Sequence, residues 1–129
     1  MRRFLPGLNN AVVSDDLEGM FLVRVERAHY QWHPHRPFFT LILKVLKPDP
    51  FSGRFISARL YSSPRALWKL SWFLHDFGYD SELLGSDQVD EKALLGLQGI
   101  VRISYTLLGG RRFLNLERFA PAADWDELS

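Results

Sequence analysis

Residues 53–61 read GRFISARLY. With the two-residue alternation of a strand, Ile56, Ala58 and Leu60 fall on one side. Phe55, Ser57, Arg59 and Tyr61 fall on the other. The first side is an ordinary core face. The second sets two aromatic rings beside a guanidinium on a side expected to meet solvent, a combination suited to stacking bases and neutralising phosphates.

The neighbouring segments extend the pattern. FFTLILKVL (38–46) places Phe39, Leu41, Leu43 and Val45 on one face and Phe38, Thr40, Ile42 and Lys44 on the other. The turn-rich KPDPFSG joins it to GRFISARLY as a hairpin. Upstream, GMFLVRVERAHYQW (19–32) alternates in the same way, with Arg24, Tyr30 and Trp32 expected to point outward. HPHRP, broken by two prolines, closes the first hairpin.

Downstream, SSPRALWKLSWFLHDFG (62–78) reads as a helix. Ser63 is placed to cap it, Pro64 suits its first position, and Gly78 suits its stop. Leu67, Leu70, Leu74 and Phe77 form the expected buried stripe, and Trp68 and Trp72 read as core or core-edge residues flanking it. SDQVDEKALLGLQG (86–99) suggests a helical turn capped by Asp87. GIVRISYTLLGG (99–110) and FLNLERFAP (113–121) read as two strands joined at GGRR. The final AADWDELS reads as a loose acidic tail.

The expected order is therefore β-β-β-α-β-β. It fits an all-β fold with one main helix, a five-stranded oligonucleotide/oligosaccharide-binding (OB) Greek-key barrel, with an open α+β sheet as the alternative. The expected organisation is an N-terminal segment over 1–17, the domain over 18–121 and the tail over 122–129.

Composition narrows the function classes. The chain has 129 residues, 47% of them hydrophobic, and no cysteine, so disulfide, thiolate-metal and thiol chemistry are excluded. No apolar run reaches the roughly 20 residues that cross a bilayer. No sustained apolar stretch follows the N-terminal arginines, so a cytoplasmic protein without membrane contact is expected. Residues 1–80 carry 11 Lys/Arg against 7 Asp/Glu, and residues 81–129 carry 5 against 8. A front part of +4 and a remainder of −3 thus hide inside the net +1, and the basic front part suits a polyanion.

The quoted stretches resemble a family of small phage-associated proteins, itself of uncharacterised function. The likeness lies in EGMFLVRVERAH, FFTLILKVL, GRFISARLYSS, LHDFGYD, LLGLQGIVRISY and RFLNLERFAP, together covering about residues 18–121. The resemblance implies an OB-type fold and single-stranded DNA binding in replication or recombination. The family's Lys/Gly-rich turn after the first strand is replaced here by HPHRP.

On this reading Phe55, Tyr61 and Trp32 stack bases. Lys44, Arg54, Arg59 and Arg102 follow the phosphate backbone, and Arg111 and Arg112 close over the strand from the last hairpin. The acidic tail, with Trp125 and Leu128, resembles the tails with which bacterial single-strand-binding proteins recruit repair enzymes, and so suggests a replication or recombination partner. A protein-interaction module or homo-oligomer built on the same apolar face is the alternative. His29, His33 and His35 are candidate metal ligands by residue type, with two prolines interrupting their spacing. Asp15, Asp16 and Glu18 cluster without a facing partner. There is no G-x-S-x-G, P-loop or G-x-G-x-x-G, and no cofactor is implied.

Overall fold

The computed structural model describes residues 17–128. Five antiparallel strands make one sheet: β1 (Gly19–Gln31), β2 (Phe38–Lys47), β3 (Phe55–Tyr61), β4 (Gln98–Leu108) and β5 (Arg111–Pro121). Their spatial order is β3-β2-β1-β4-β5. β3 and β5, at opposite ends of that order, run in the same direction and approach one another. They also line a common groove, so the sheet is curled. No ladder joins them among the described residues, and the sheet is open along this seam.

Alternation builds the interior. Phe21, Val23 and Val25 of β1 are buried with Phe39, Leu41, Leu43 and Val45 of β2 and Ile56, Ala58 and Leu60 of β3. Val101, Ile103 and Leu116 complete the lining. Each of the larger of these side chains, Ala58 apart, contributes about 1.5–3 kcal/mol on withdrawal from water. The strand pattern fails at one place: the β1–β2 register shifts between Val25 and Arg27. Val25 there bonds to the chain entering β4, its N–H donating to the Leu97 carbonyl at 2.9 Å and its carbonyl accepting from Gly96 N–H at 2.8 Å. The irregularity reverses the faces, and Tyr30 packs inward against Phe39, ring centroids 5.0 Å apart. The expected outward Tyr30 is corrected by this bulge.

Helix α1 (Leu67–Asp76) closes one end of the curl. Leu70, Phe73, Leu74 and Phe77 are buried, and Phe73 and Phe77 meet Phe119 of β5 at 5.5 and 6.3 Å. The Phe77 ring lies on bare backbone at Gly99, where an added Cβ would stand 2.4 Å from it. Ser63 does not cap α1: the helix begins at Leu67 after a turn closed by Ala66 N–H to the Ser63 carbonyl, and no side chain caps it. Leu67 leaves the expected stripe and is exposed.

Two short helices follow, α2 (Ser81–Gly85) and α3 (Glu91–Leu94). Asp80 and Asp90 cap them through their carboxylates. Asp87, expected as a cap, instead has φ 57° in the intervening turn. Gly109 and Gly110, at φ 58° and 77°, make the tight β4–β5 turn, a geometry that side-chain-bearing residues adopt only with strain. The tail, expected to be loose, carries regular structure as far as Leu128. A 3-10 turn (Ala122–Asp124) contacting β4 leads into α4 (Trp125–Leu128). Residues 1–16, including Asp15 and Asp16, lie outside the described residues. Among the described residues no helix is long and apolar enough to cross a membrane.

Candidate nucleic-acid interface

The ladders fix which outward side chains are neighbours. Across β1, β2 and β3 the rows are Gln31–Phe38–Tyr61, His29–Thr40–Arg59, Arg27–Ile42–Ser57 and Arg24–Lys44–Phe55. Phe55 and Lys44 therefore stand together at one end of the face, and Tyr61 and Arg59 toward the other. Phe55 to Tyr61 spans about 20 Å at strand rise.

At the Tyr61 end the rings and cations interleave. The Arg36 guanidinium lies over the Tyr61 ring at 4.3 Å. Tyr61 meets Phe38 edge-on at 5.6 Å, and Arg59 lies over the other part of Phe38 at 4.4 Å. Phe38 is thereby only 8% exposed on an outward face. Both guanidinium groups are held by π faces, an arrangement that orients the charge without neutralising it.

The seam between β3 and β5 forms the groove. One recess is lined by Phe55, Ile56, Ser57, Tyr105, Arg111, Arg112 and Leu114. The next runs along Ser57 to Tyr61 opposite Arg112 to Leu116, with Arg36 and Lys69 at its margin. A third, of about 690 Å³, opens between the β1–β2 loop and the start of α1, lined by His35, Arg36, Tyr61, Arg65, Trp68 and Lys69 among others. The recesses share lining residues and so adjoin one another along one groove. Among the described residues no aspartate or glutamate lines any part of it. Burial lowers the Lys69 amine below the ordinary lysine value of 10.5, with the nearby Glu117 carboxylate acting in the opposite sense.

The residues singled out from sequence divide accordingly. Phe55, Arg59, Tyr61, Arg111 and Arg112 line the groove. Lys44 adjoins Phe55 on the outer face. Trp32 is exposed just past the end of β1, at the Tyr61 end. Arg54 does not join them as a free cation: its guanidinium folds over Phe51 at 5.2 Å, and its Nη1 is buried without a hydrogen-bond partner. Arg102 stands apart, between Met20 of β1 and Arg118 of β5, with its Nε 3.4 Å from Glu117.

Arg36, Arg65, Trp68 and Lys69 are the groove residues that alternation along strands misses. Arg36 belongs to a loop and the other three to the turn and helix after β3, so their signal would have been proximity to the end of β3. His33 is committed to its own loop, its Nδ1 accepting from the N–H groups of His35 and Arg36 at 3.3 and 3.4 Å. His29 lies 3.9 Å from Glu91. Among the described residues no three His, Asp or Glu side chains are placed to hold a metal ion. Comparison with protein-family models and with curated proteins finds no match to this chain.

Proposed function

We propose that this chain is a non-catalytic module of the OB type that binds single-stranded nucleic acid, DNA in the first instance, along the β2–β3 face and the β3–β5 seam. The observation that carries this reading is the run of adjoining recesses lined by Arg36, Arg59, Arg65, Lys69, Arg111 and Arg112, interleaved with Phe55, Tyr61 and Trp68 and, among the described residues, with no carboxylate in the lining. Cations spaced along a groove follow phosphates and release counterions, and rings between them stack bases of any identity. The strand order supports the OB assignment, since it places β3 beside β5 with the helix at the end of the curl. A setting in phage replication or recombination rests on the family resemblance alone.

Fluorescence anisotropy with labelled oligo-dT at two salt concentrations tests this. Micromolar binding that weakens as salt rises is the expected result. An absence of binding at low salt rejects the reading.

One observation favours a second reading, a protein-interaction module. Leu107 and Leu108 are 71% and 67% exposed beside the β4–β5 turn. Sedimentation showing a stable dimer that Leu108→Ser dissociates, with no oligonucleotide affinity, would favour it.

A further inference from the structure

Trp68 is the most exposed ring of the groove and does not belong to the sheet. It is 63% exposed, yet its position is fixed. It stacks on Trp72 with ring centroids 6.3 Å apart and planes 27° from parallel. Trp72 is itself anchored twice: its Nε1–H donates to Asp76 Oδ2 at 2.8 Å, and its ring meets Phe119 at 5.5 Å. Phe119 is buried against Phe73 and Phe77. A chain of rings thus runs from the core out to Trp68, which lines the recess beside α1.

The surroundings of this indole specify what would sit on it. Arg36 and Tyr61, already stacked on each other at 4.3 Å, share the recess. Arg65 and Lys69 flank Trp68 in sequence and line the same recess. Lys69 also lines the seam, so the recess continues the groove past the end of β3. A flat apolar platform ringed by three cations and, among the described residues, by no carboxylate matches a group with a flat ring and a negative charge.

We infer that this recess takes one nucleotide of a bound single strand off the sheet, its base stacked on Trp68 and its phosphates set against Arg36, Arg65 and Lys69. The inference rests on the nucleic-acid reading above. It adds that the strand does not end at Tyr61 but turns over the start of α1, so the binding site is longer than the sheet face.

The test uses the full chain and labelled dT oligomers of four to twelve nucleotides at low salt. Trp68→Ala removes the platform and places a strong helix former at an exposed position. Trp68→Phe keeps a ring. Trp68→Ala is expected to weaken the longest oligomer by about 5- to 100-fold, the range for one stacked base. Trp68→Phe should stay within about threefold, since any aromatic face accepts a base. The shortest oligomers, held on the sheet alone, should bind both variants like the parent. Should Trp68→Ala unfold, Arg65→Ala separates the same outcomes, reducing the salt dependence by about one phosphate contact for long oligomers only.

Equal affinities for the parent and both variants at every length overturn the inference while leaving the groove reading intact. Failure of the parent chain to bind any oligomer rejects both. A synthetic peptide of residues 121–129 that displaces the long oligomer from the parent but not from Trp68→Ala would assign the recess to an acidic tail, and overturns the nucleotide.

Discussion

Arg59 and Arg102 both project from the outer side of the same sheet, yet their charges are disposed in opposite ways. Arg59 lies over the Phe38 ring and lines a groove to which no described aspartate or glutamate contributes. Arg102 faces Glu117, which also accepts a hydrogen bond from the Ser104 hydroxyl at 2.7 Å. Arg24, on the central strand, is likewise paired, its guanidinium 2.7 Å from Glu26. Arg24 and Arg102 thus each have a carboxylate beside them, whereas Arg36, Arg59 and Arg112 lie over rings. A count of arginines cannot distinguish the two populations; the identity of the group beneath each guanidinium can.

The largest effect should come from removing the shelf. Phe38→Ala takes away the ring that supports both Arg59 and Tyr61, and should cost about 3 kcal/mol of stability, the low end for a buried phenylalanine, with urea unfolding as the measurement. Oligonucleotide affinity should fall with it under folding conditions. A loss under about 1 kcal/mol would mean that the ring-and-cation stack contributes little and that the comparison is one of position alone.

Next comes charge itself. Replacing Arg36, Arg59 and Arg112 together by alanine should weaken oligo-dT binding by roughly 30-fold at low salt and flatten its salt dependence by about two units, as expected for three lost phosphate contacts. The matched triple of Arg24, Arg102 and Arg118 should change affinity by less than about threefold, since the first two of those charges are already screened by carboxylates. Equal losses in the two triples would break the comparison.

The smallest effect sharpens it. Glu117→Gln uncovers Arg102 and removes the acid that opposes the desolvation of Lys69. Affinity near neutrality should rise by about twofold, with stability changed by no more than about 1 kcal/mol. The pH profile should move as well. Lys69 is charged below its lowered pKa and loses its charge as pH rises through it, before an ordinary lysine would at 10.5. Binding should weaken over that alkaline range, and without Glu117 the weakening should begin at lower pH. In the free protein the sign is reversed: burial penalises the charged amine, and that penalty is relieved as pH rises through the lowered pKa toward the unfolded value. Anisotropy titrations across alkaline pH separate the two.

Much of this arrangement was legible in the sequence because a period of two survives as long as the strand is regular. The inward faces of β2 and β3 follow from alternation alone, as does the glycine turn between β4 and β5. Legibility stops where the register slips. The bulge after Val25 turns Tyr30 inward, and no local signal marks it, because its cause is a bond to Leu97 far along the chain. A second shift, between Arg102 and Ile103, sets which β5 side chains stand beside Arg102. Glu117 is 15 positions away in sequence, so its pairing with Arg102 could not be read from either strand separately. Trp68 and Trp72, four apart on one helix, look alike in sequence. The placement of Phe119, together with the bond from Trp72 to Asp76, anchors the one and leaves the other as its exposed neighbour. The recess beside α1 gathers residues from two connections, and the pairing of those connections is set by the curl of the sheet.

Gly99 contributes no charge, no ring and no hydrogen-bonding side chain, and it touches nothing a ligand would touch. Its hydrogen nevertheless works as a keyway: Phe77 sits against it, and any larger substituent at that spot would force the Phe77 ring, next to the end of the helix bearing Trp68 and Lys69, to shift. The alignment of the two walls, that helix and the strands bearing Tyr61 and Arg112, therefore depends on the absence of one carbon, whose place the Phe77 ring has taken, and a single added methyl group there should misalign them without altering any residue that lines them.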